Sequence, residues 1–219
     1  MRIKVIKKQI KLIFNEIEKE TPVIIFKSFL KQSDCEKIVS VCHKNFSFEQ
    51  HRKKKINNLF NFMSLDVLPS KVETNRIFRS FELSPKFISK FKAIEQVIKF
   101  QNKIIKPIKN KKIFRKAQVI HYPRGGGFFE EHSHNRYPTN YGLIITLTKK
   151  NKDFKSGVTN FKLKNKNVSL ENYGVTIGDL VLFRFDLAHS VTACDPKEDL
   201  IFDKNGRWTL VFPVYHNKF

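Results

Sequence analysis

The spacing of apolar residues changes character near residue 112. Before that point they recur every three or four positions, and after it they come in short blocks or alternate with polar residues. The stretch 4–19 interleaves charged and apolar residues as an amphipathic helix does, and the run 23–29 reads as a strand. Ser33 and Glu36 form a capping-box pair ahead of a further helix, in which Cys35, Ile38, Val39 and Cys42 share one face. Between 46 and 69 the chain is basic and rich in Asn without a clear period, which predicts a long loop covering a site. Ser84 and Pro85 then open a helix with Phe87, Ile88, Phe91, Ile94, Val97 and Ile98 on one side.

Strands are predicted at 117–122, 141–148, 158–163, 168–171, 180–185, 190–194 and 208–215. The triple glycine Gly125 to Gly127, the segment 151–153, Gly178-Asp179 and Asn205-Gly206 supply the turns between them. The expected fold is mainly β with flanking helices: a double-stranded β-helix, or jelly roll. A chain of 219 residues suffices for one such domain, with a helical and loop flank plus the first strand over 1–115 and the jelly-roll core over 116–219.

Composition narrows the surroundings. Three cysteines make no disulfide framework and fit a reducing compartment. The first twenty residues lack the apolar core and cleavage site of a signal peptide, and no run is long enough to span a bilayer. A cytoplasmic soluble protein is therefore expected. The net charge of +22 comes from nine Arg and 33 Lys against 20 acids, in a chain also heavy in Ile, Asn and Phe, as an AT-rich genome produces. The clusters HRKKK (51–55) and KPIKNKK (106–112) are the best phosphate-contacting candidates, but aromatic and basic residues do not interleave as in a stacking surface. A nucleic-acid partner is thus not favoured over a small-molecule substrate or a modified side chain.

The candidate chemistry lies in QVIHYPRGGGFFEEHSH, residues 118–134. His132 and His134 are two apart, so on a strand they point the same way and can grip one metal ion, with His189 as a distant third ligand. Glu131 would face away, whereas Glu130 has the parity to supply a carboxylate if the strand already extends there. His121 alternates away from its neighbour Tyr122, and His43, His51 and His216 are read as ordinary histidines. Arg207, in GRWTL, is flanked by apolar residues, and Thr209 shares its face; a buried guanidinium of this kind binds a carboxylate through two nitrogens.

In order and spacing these parts resemble the 2-oxoglutarate- and Fe(II)-dependent oxygenases of the prolyl-hydroxylase-like type. The matching pieces are Tyr122, Gly125 to Gly127, His132-Ser133-His134, Gly157-Val158-Thr159-Asn160-Phe161, Gly178-Asp179, His189 and Arg207-Trp208-Thr209, while 22–42 looks like the opening strand and helix. The resemblance implies Fe(II) on His132, His134 and His189, and 2-oxoglutarate held by Arg207, Thr209 and Tyr122, with Arg207 on a strand beside that of His189 in a closed barrel. It also implies substrate hydroxylation with succinate and CO₂ as co-products, and no protein residue acting as acid or base. Arg124, Asn135 and Arg136 flank the histidine pair as candidate contacts to a polar or acidic substrate, and the triple glycine reads as a mobile entrance loop beside the metal. The chain departs from the family in having His134 where a carboxylate is usual. Two alternatives follow: a three-histidine, cupin-like dioxygenase needing no oxoacid, or a degenerate oxygenase fold used for binding.

Overall fold

The structure, a computed structural model, describes residues 3–6, 22–45, 60–66, 76–104, 113–134 and 141–216. In chain order the elements are β1 (Ile3–Ile6), β2 (Val23–Phe26), α1 (Gln32–Lys44), β3 (Phe60–Asp66), β4 (Arg76–Leu83), α2 (Pro85–Lys90), α3 (Lys92–Ile104), β5 (Ile113–Arg115), β6 (Gln118–Tyr122), β7 (Gly127–His132), β8 (Tyr141–Thr146), β9 (Thr159–Leu163), β10 (Lys166–Ser169), a 3-10 turn (Leu170–Tyr173), β11 (Leu180–Arg184), β12 (His189–Cys194), β13 (Arg207–Val211) and β14 (Val214–His216).

One strand organises the sheet. β4 bonds to β6 through Arg79 to Glu82 and to β7 through Arg76 and Ile77, so the ladder folds over at β4. On one side lies a major sheet in the order β1-β2-β11-β8-β13-β6-β4, with β3 on the far edge of β4; on the other lies a minor sheet, β7-β12-β9-β10. Apolar side chains from both fill the space between. Val23, Ile25, Ile144, Val181 and Phe183 of the major sheet meet Phe161 and Leu163 of β9, while Phe78 and Tyr122 meet Val191 and Cys194 of β12. This is the expected jelly roll.

The strand sequences follow from this layering. α1, α2 and α3 cover the outer face of the major sheet, where Ile24, Phe81, Val119, Ile145, Leu182, Trp208 and Leu210 pack against Ile38, Phe87, Ile94 and Val97. Strands buried on both faces read as continuous apolar runs, as in β2 (VIIF) and β8 (YGLIIT), whereas β9 of the minor sheet alternates buried and open positions.

Several sequence expectations need correction. Ile3–Ile6, expected to open a helix, is a strand parallel to β2, and the rest of that stretch to residue 19 lies outside the described residues. The strand from Val23 ends at Phe26 because Ser28 adopts φ 50° and turns the chain. α1 begins one residue before Ser33, with Lys31 at its N-cap and no side-chain cap, so the capping box does not form; Glu36 accepts instead from Gln32 Nε2 at 2.8 Å. Part of the predicted loop, Phe60–Asp66, is a strand paired with β4. Ser84 does cap its helix, accepting from Phe87 N at 3.2 Å, but Phe91 leaves helical geometry and divides the segment into α2 and α3. The apolar face is shared by both helices as the spacing predicts.

The Gly178-Asp179 turn ties β2 to the start of β11. Gly178 sits at φ +84°, where an added Cβ would lie 2.3 Å from Leu30 O, so the position needs glycine. The fully buried Asp179 carboxylate accepts from Ser28 N at 2.8 Å, Thr176 N at 2.9 Å and Lys27 Nζ at 2.8 Å. Asp179→Ala leaves two N–H groups and a partly covered ammonium without that acceptor, and should cost about 3 kcal/mol of folding stability. Urea denaturation of the variant checks this, and a midpoint equal to the parent's would remove Asp179 from its structural role.

Candidate metal centre

His132 and His189 stand opposite one another at the end of the β7–β12 pair. From His189 to Val191 is two residues on β12, but the same step on β7 runs from His132 to Phe129, which is three. β7 therefore carries a bulge at Glu130 and Glu131. The extra residue resets the alternation, so Phe129 and His132 both face inward and their rings stack at 3.8 Å, while both glutamates are exposed. Glu131 pairs with Lys162 on the outside, at 2.9 Å. Glu130 thus lacks the inward parity that would make it a ligand, and strict alternation along the strand fails at this point.

His134 lies two residues beyond the end of β7 and is fixed in two ways. Its backbone N–H donates to Phe185 O at 3.1 Å, and its ring stacks on Phe185 at 4.4 Å. The three imidazoles converge, with one nitrogen from each lying within 4.8 Å of the others. His132 Nδ1–H donates to Glu130 O at 2.8 Å and His189 Nδ1–H to Leu187 O at 2.9 Å. Each bond fixes the tautomer that leaves Nε2 with a free lone pair, as metal-binding histidines require. Burial, and in second place the neighbouring imidazoles, lower His134 to about 4 and His189 to about 3, and burial also lowers His132. All three are therefore neutral near pH 7 and chemically fit to hold a divalent cation.

Arg207 is buried on the facing wall. β13 pairs with β6 and β8 in the major sheet, whereas β12 lies in the minor one, so Arg207 faces the cavity from across the barrel rather than from a strand beside His189. Its Nη2 donates to Thr159 Oγ1, its guanidinium lies 5.4 Å from the Tyr122 ring, and its buried Nη1 has no hydrogen-bond partner. Among the described residues no carboxylate pairs with it. A buried guanidinium with one nitrogen orphaned is costly unless an anion completes it. Thr159 lies two residues along β9 from Phe161, which faces His189, so the cation sits one inward position deeper than the histidines. Tyr122, with burial pushing its phenol up to about 12, remains a neutral donor beside it.

Thr209 shares the inward face with Arg207 and is buried beside Thr146, but the guanidinium's hydroxyl partner is Thr159. Sequence reasoning noted Thr159 only as part of a motif; its parity with Phe161 was the available signal. Phe129 and Phe185 were missed because the bulge and the chain's return past β11 are tertiary features. His121 does point away from the cavity, as alternation predicts, stacking on Trp208 at 4.2 Å and accepting from Arg79 Nε at 2.8 Å.

The flanking residues behave differently. Arg124 is held by Glu198 at 3.2 Å and Asp203 at 2.8 Å, so its terminal nitrogens are already engaged by carboxylates. Asn135 and Arg136 lie outside the described residues. The triple glycine is not an entrance loop beside the histidines. It sits at the opposite end of β7, bound through Gly125 N to Asp195 O at 3.1 Å and Gly126 N to Cys194 O at 2.8 Å, and a Cβ on Gly125 would fall 2.2 Å from Asp199 O.

No protein-family model and no curated protein sequence matches the chain. Solved structures do. A prolyl-4-hydroxylase from Pseudomonas putida superposes with a TM-score of 0.59 at 11% identity, covering 94% of this chain and 98% of that one. A prolyl hydroxylase from Trichoplax adhaerens, in complex with a hypoxia inducible factor oxygen degradation domain peptide fragment, gives 0.61 at 18% identity, with 92% and 86% covered. An oxidoreductase of the 2OG-Fe(II) oxygenase family from Burkholderia pseudomallei gives 0.58 at 8% identity, with 98% and 95% covered. At these identities the likeness establishes the fold, which is the double-stranded β-helix those proteins share.

Two outcomes test the geometry. Phe185→Ala removes the ring that seats His134 and should weaken Co(II) binding by about 10-fold or more, read from the metal's visible absorption, while Phe185→Tyr should bind as the parent does. Separately, an imidazole whose folded pKa lies below its unfolded value near 6.5 makes folding less favourable as pH falls, because the unfolded chain takes up a proton the folded chain refuses. With His189 at about 3, His134 at about 4 and His121 pushed well down by burial, stability of the metal-free protein should decline steadily from about pH 6.5 toward pH 4. Equal urea midpoints at pH 7.5 and 5 would contradict imidazoles held neutral in the folded chain.

Proposed function

We propose that this protein is a non-haem iron oxygenase that consumes 2-oxoglutarate and hydroxylates a bound substrate. The observation that carries the reading is the orphaned Nη1 of buried Arg207, one inward position below three converging histidines. A three-histidine site alone suits several metals. A cation placed at that depth, with no carboxylate of its own among the described residues, suits an anion reaching down from the metal.

Under this reading His132, His134 and His189 hold Fe(II) through imidazole nitrogens. Arg207 binds the distal carboxylate of 2-oxoglutarate, Thr159 orients the guanidinium, and Tyr122 and Thr209 line the same face. Bound there together, Fe(II) and the oxoacid supply an oxidant: O₂ is spent in converting 2-oxoglutarate to succinate and CO₂ and in placing one oxygen atom on a substrate C–H. Val191, Phe161 and Phe183 wall the cavity with apolar surface and keep water from the reacting centre. The protein's part is to bind, orient and exclude water; none of its residues has to exchange a proton.

His134 bears on the choice of metal chemistry. Three neutral imidazoles leave the metal unit one positive charge above a site with two histidines and a carboxylate, so the dianionic oxoacid neutralises more of the site's charge here. The three-histidine dioxygenase without an oxoacid leaves Arg207 unexplained, and a purely degenerate fold leaves the two tautomer-fixing bonds of His132 and His189 unexplained. The resemblance to prolyl hydroxylases, one of them in complex with a peptide fragment, supports a protein side chain over a small molecule as the substrate, and the acidic or polar character expected from Arg124 loses support now that Arg124 is engaged by Glu198 and Asp203.

Anaerobic titration of the protein with Fe(II) and then 2-oxoglutarate should produce the weak visible band of a metal-chelated oxoacid. Arg207→Ala should bind iron normally and raise the 2-oxoglutarate concentration needed by about 10-fold or more, since a charge-assisted pair to a buried group is lost. Iron binding with no band would favour the oxoacid-free dioxygenase. Failure to bind iron would favour a retired site.

A further inference from the structure

The surplus positive charge is not evenly spread. Residues 84–117 carry eleven of the basic side chains and one acid, Glu95, so close to half of the chain's net +22 falls in less than a sixth of its length. The structure gives the first part of this segment a shape. α2 and α3 bury Phe87, Ala93, Ile94, Val97 and Phe100 against the major sheet. Every exposed position on the two helices is a lysine, an amide, Ser89 or Pro85. Lys92, Gln96, Lys99 and Lys103 recur at four, three and four residues, which aligns them along one side of α3, and Lys86 and Lys90 are the exposed lysines of the preceding α2.

None of these five lysines has a carboxylate partner among the described residues. Lys27, Lys116, Lys150, Lys152, Lys155 and Lys162, elsewhere on the surface, each hold one. Other lysines such as Lys31, Lys164 and Lys197 are also unpaired among the described residues, so what sets α2–α3 apart is the density of its lysines and their alignment on α3. The sequence continues past α3 with Lys106, Lys109, Lys111 and Lys112 and no acid. A row of like charges left uncompensated is electrostatically unfavourable for the isolated protein and is relieved by a polyanion.

We infer that the α2–α3 face is a docking surface for the phosphate backbone of a nucleic acid. The lysine row spans roughly 16 Å of helix, comparable to about five successive phosphates of one strand. Lysine offers point charges without the planar fork that reads bases, and no aromatic side chain is exposed on the face, so the contact is with the backbone and independent of sequence. An anionic membrane fits less well. A helix that lies in a bilayer surface needs an apolar face free to insert, and that of α3 is committed to the core. The face lies outside the major sheet, on the opposite side from the histidines, so binding there tethers a partner without entering the cavity. It is independent of the proposed oxygenase chemistry.

The test is fluorescence anisotropy of the full chain, without added metal, against a labelled single-stranded DNA of about 20 nucleotides, with vesicles containing phosphatidylserine run in parallel. With roughly five phosphate contacts, affinity should fall on the order of 100-fold between about 50 and 200 mM salt. The variant K92Q/K99Q/K103Q should lower the slope of log affinity against log salt by about 2, whereas K152Q/K155Q, at paired lysines, should leave it unchanged. Equal thermal melts of both variants and the parent exclude misfolding as the cause. Absence of DNA binding, an equal effect of both variants, or binding to the vesicles in preference to DNA would each overturn the inference.

Discussion

Side chains alternate along a strand, so residues three apart share a face only where the ladder is interrupted. The β7–β12 ladder is interrupted twice, on β7 at Glu130 and Glu131 and on β12 between Val191 and Cys194, and the seating of His132 depends on the first. Without the extra residue, Phe129 would turn outward and lose the ring stack that steadies His132. The bulge also exposes both glutamates, which removes the nearest carboxylates from the cavity and leaves an all-imidazole set. A single backbone insertion thus governs the geometry, the charge and the donor chemistry of one site.

The opposite wall follows a different logic. Folding has placed a guanidinium in an apolar interior with Thr159 as its hydrogen-bonding partner and Tyr122 beneath it. Burial of such a group opposes stability, and under the proposed function that cost is offset when an anion binds the free nitrogen. The two walls belong to different sheets, and the Arg207–Thr159 bond is a polar strut between them. One polar contact between the two walls is therefore set by the protein itself.

The sequence made the architecture and the main site residues legible because they rest on local regularities. Apolar blocks in the second half revealed the strands, and His132, His134, His189 and Arg207, each ordinary alone, stood out as a set by their order and spacing. What stayed hidden depends on the neighbours of each strand. Glu130 could not be dismissed without the bulge, which is a relation between β7 and β12. Arg124 looked free for a substrate because Glu198 and Asp203 lie more than seventy residues away in sequence. The strand at Phe60–Asp66 escaped notice because its basic and Asn-rich flanks masked the period. Phe185 carried no local sign of its contact with His134.

The order in which strands occur along the chain bears on how the molecule acquires this shape. β13 occupies a central place in the major sheet, between β6 and β8, yet it follows nearly every other strand in sequence; β2, near the start, finds its partner β11 more than 150 residues later. During synthesis the sheet consequently lacks its middle until the segment carrying Arg207 has emerged. Folding dominated by such distant pairings is slow, and the unfinished edges of β6 and β8 are exposed while it proceeds. The residue that faces the histidines is thus carried by the strand that closes the sheet, and completion of the fold coincides with completion of the pocket.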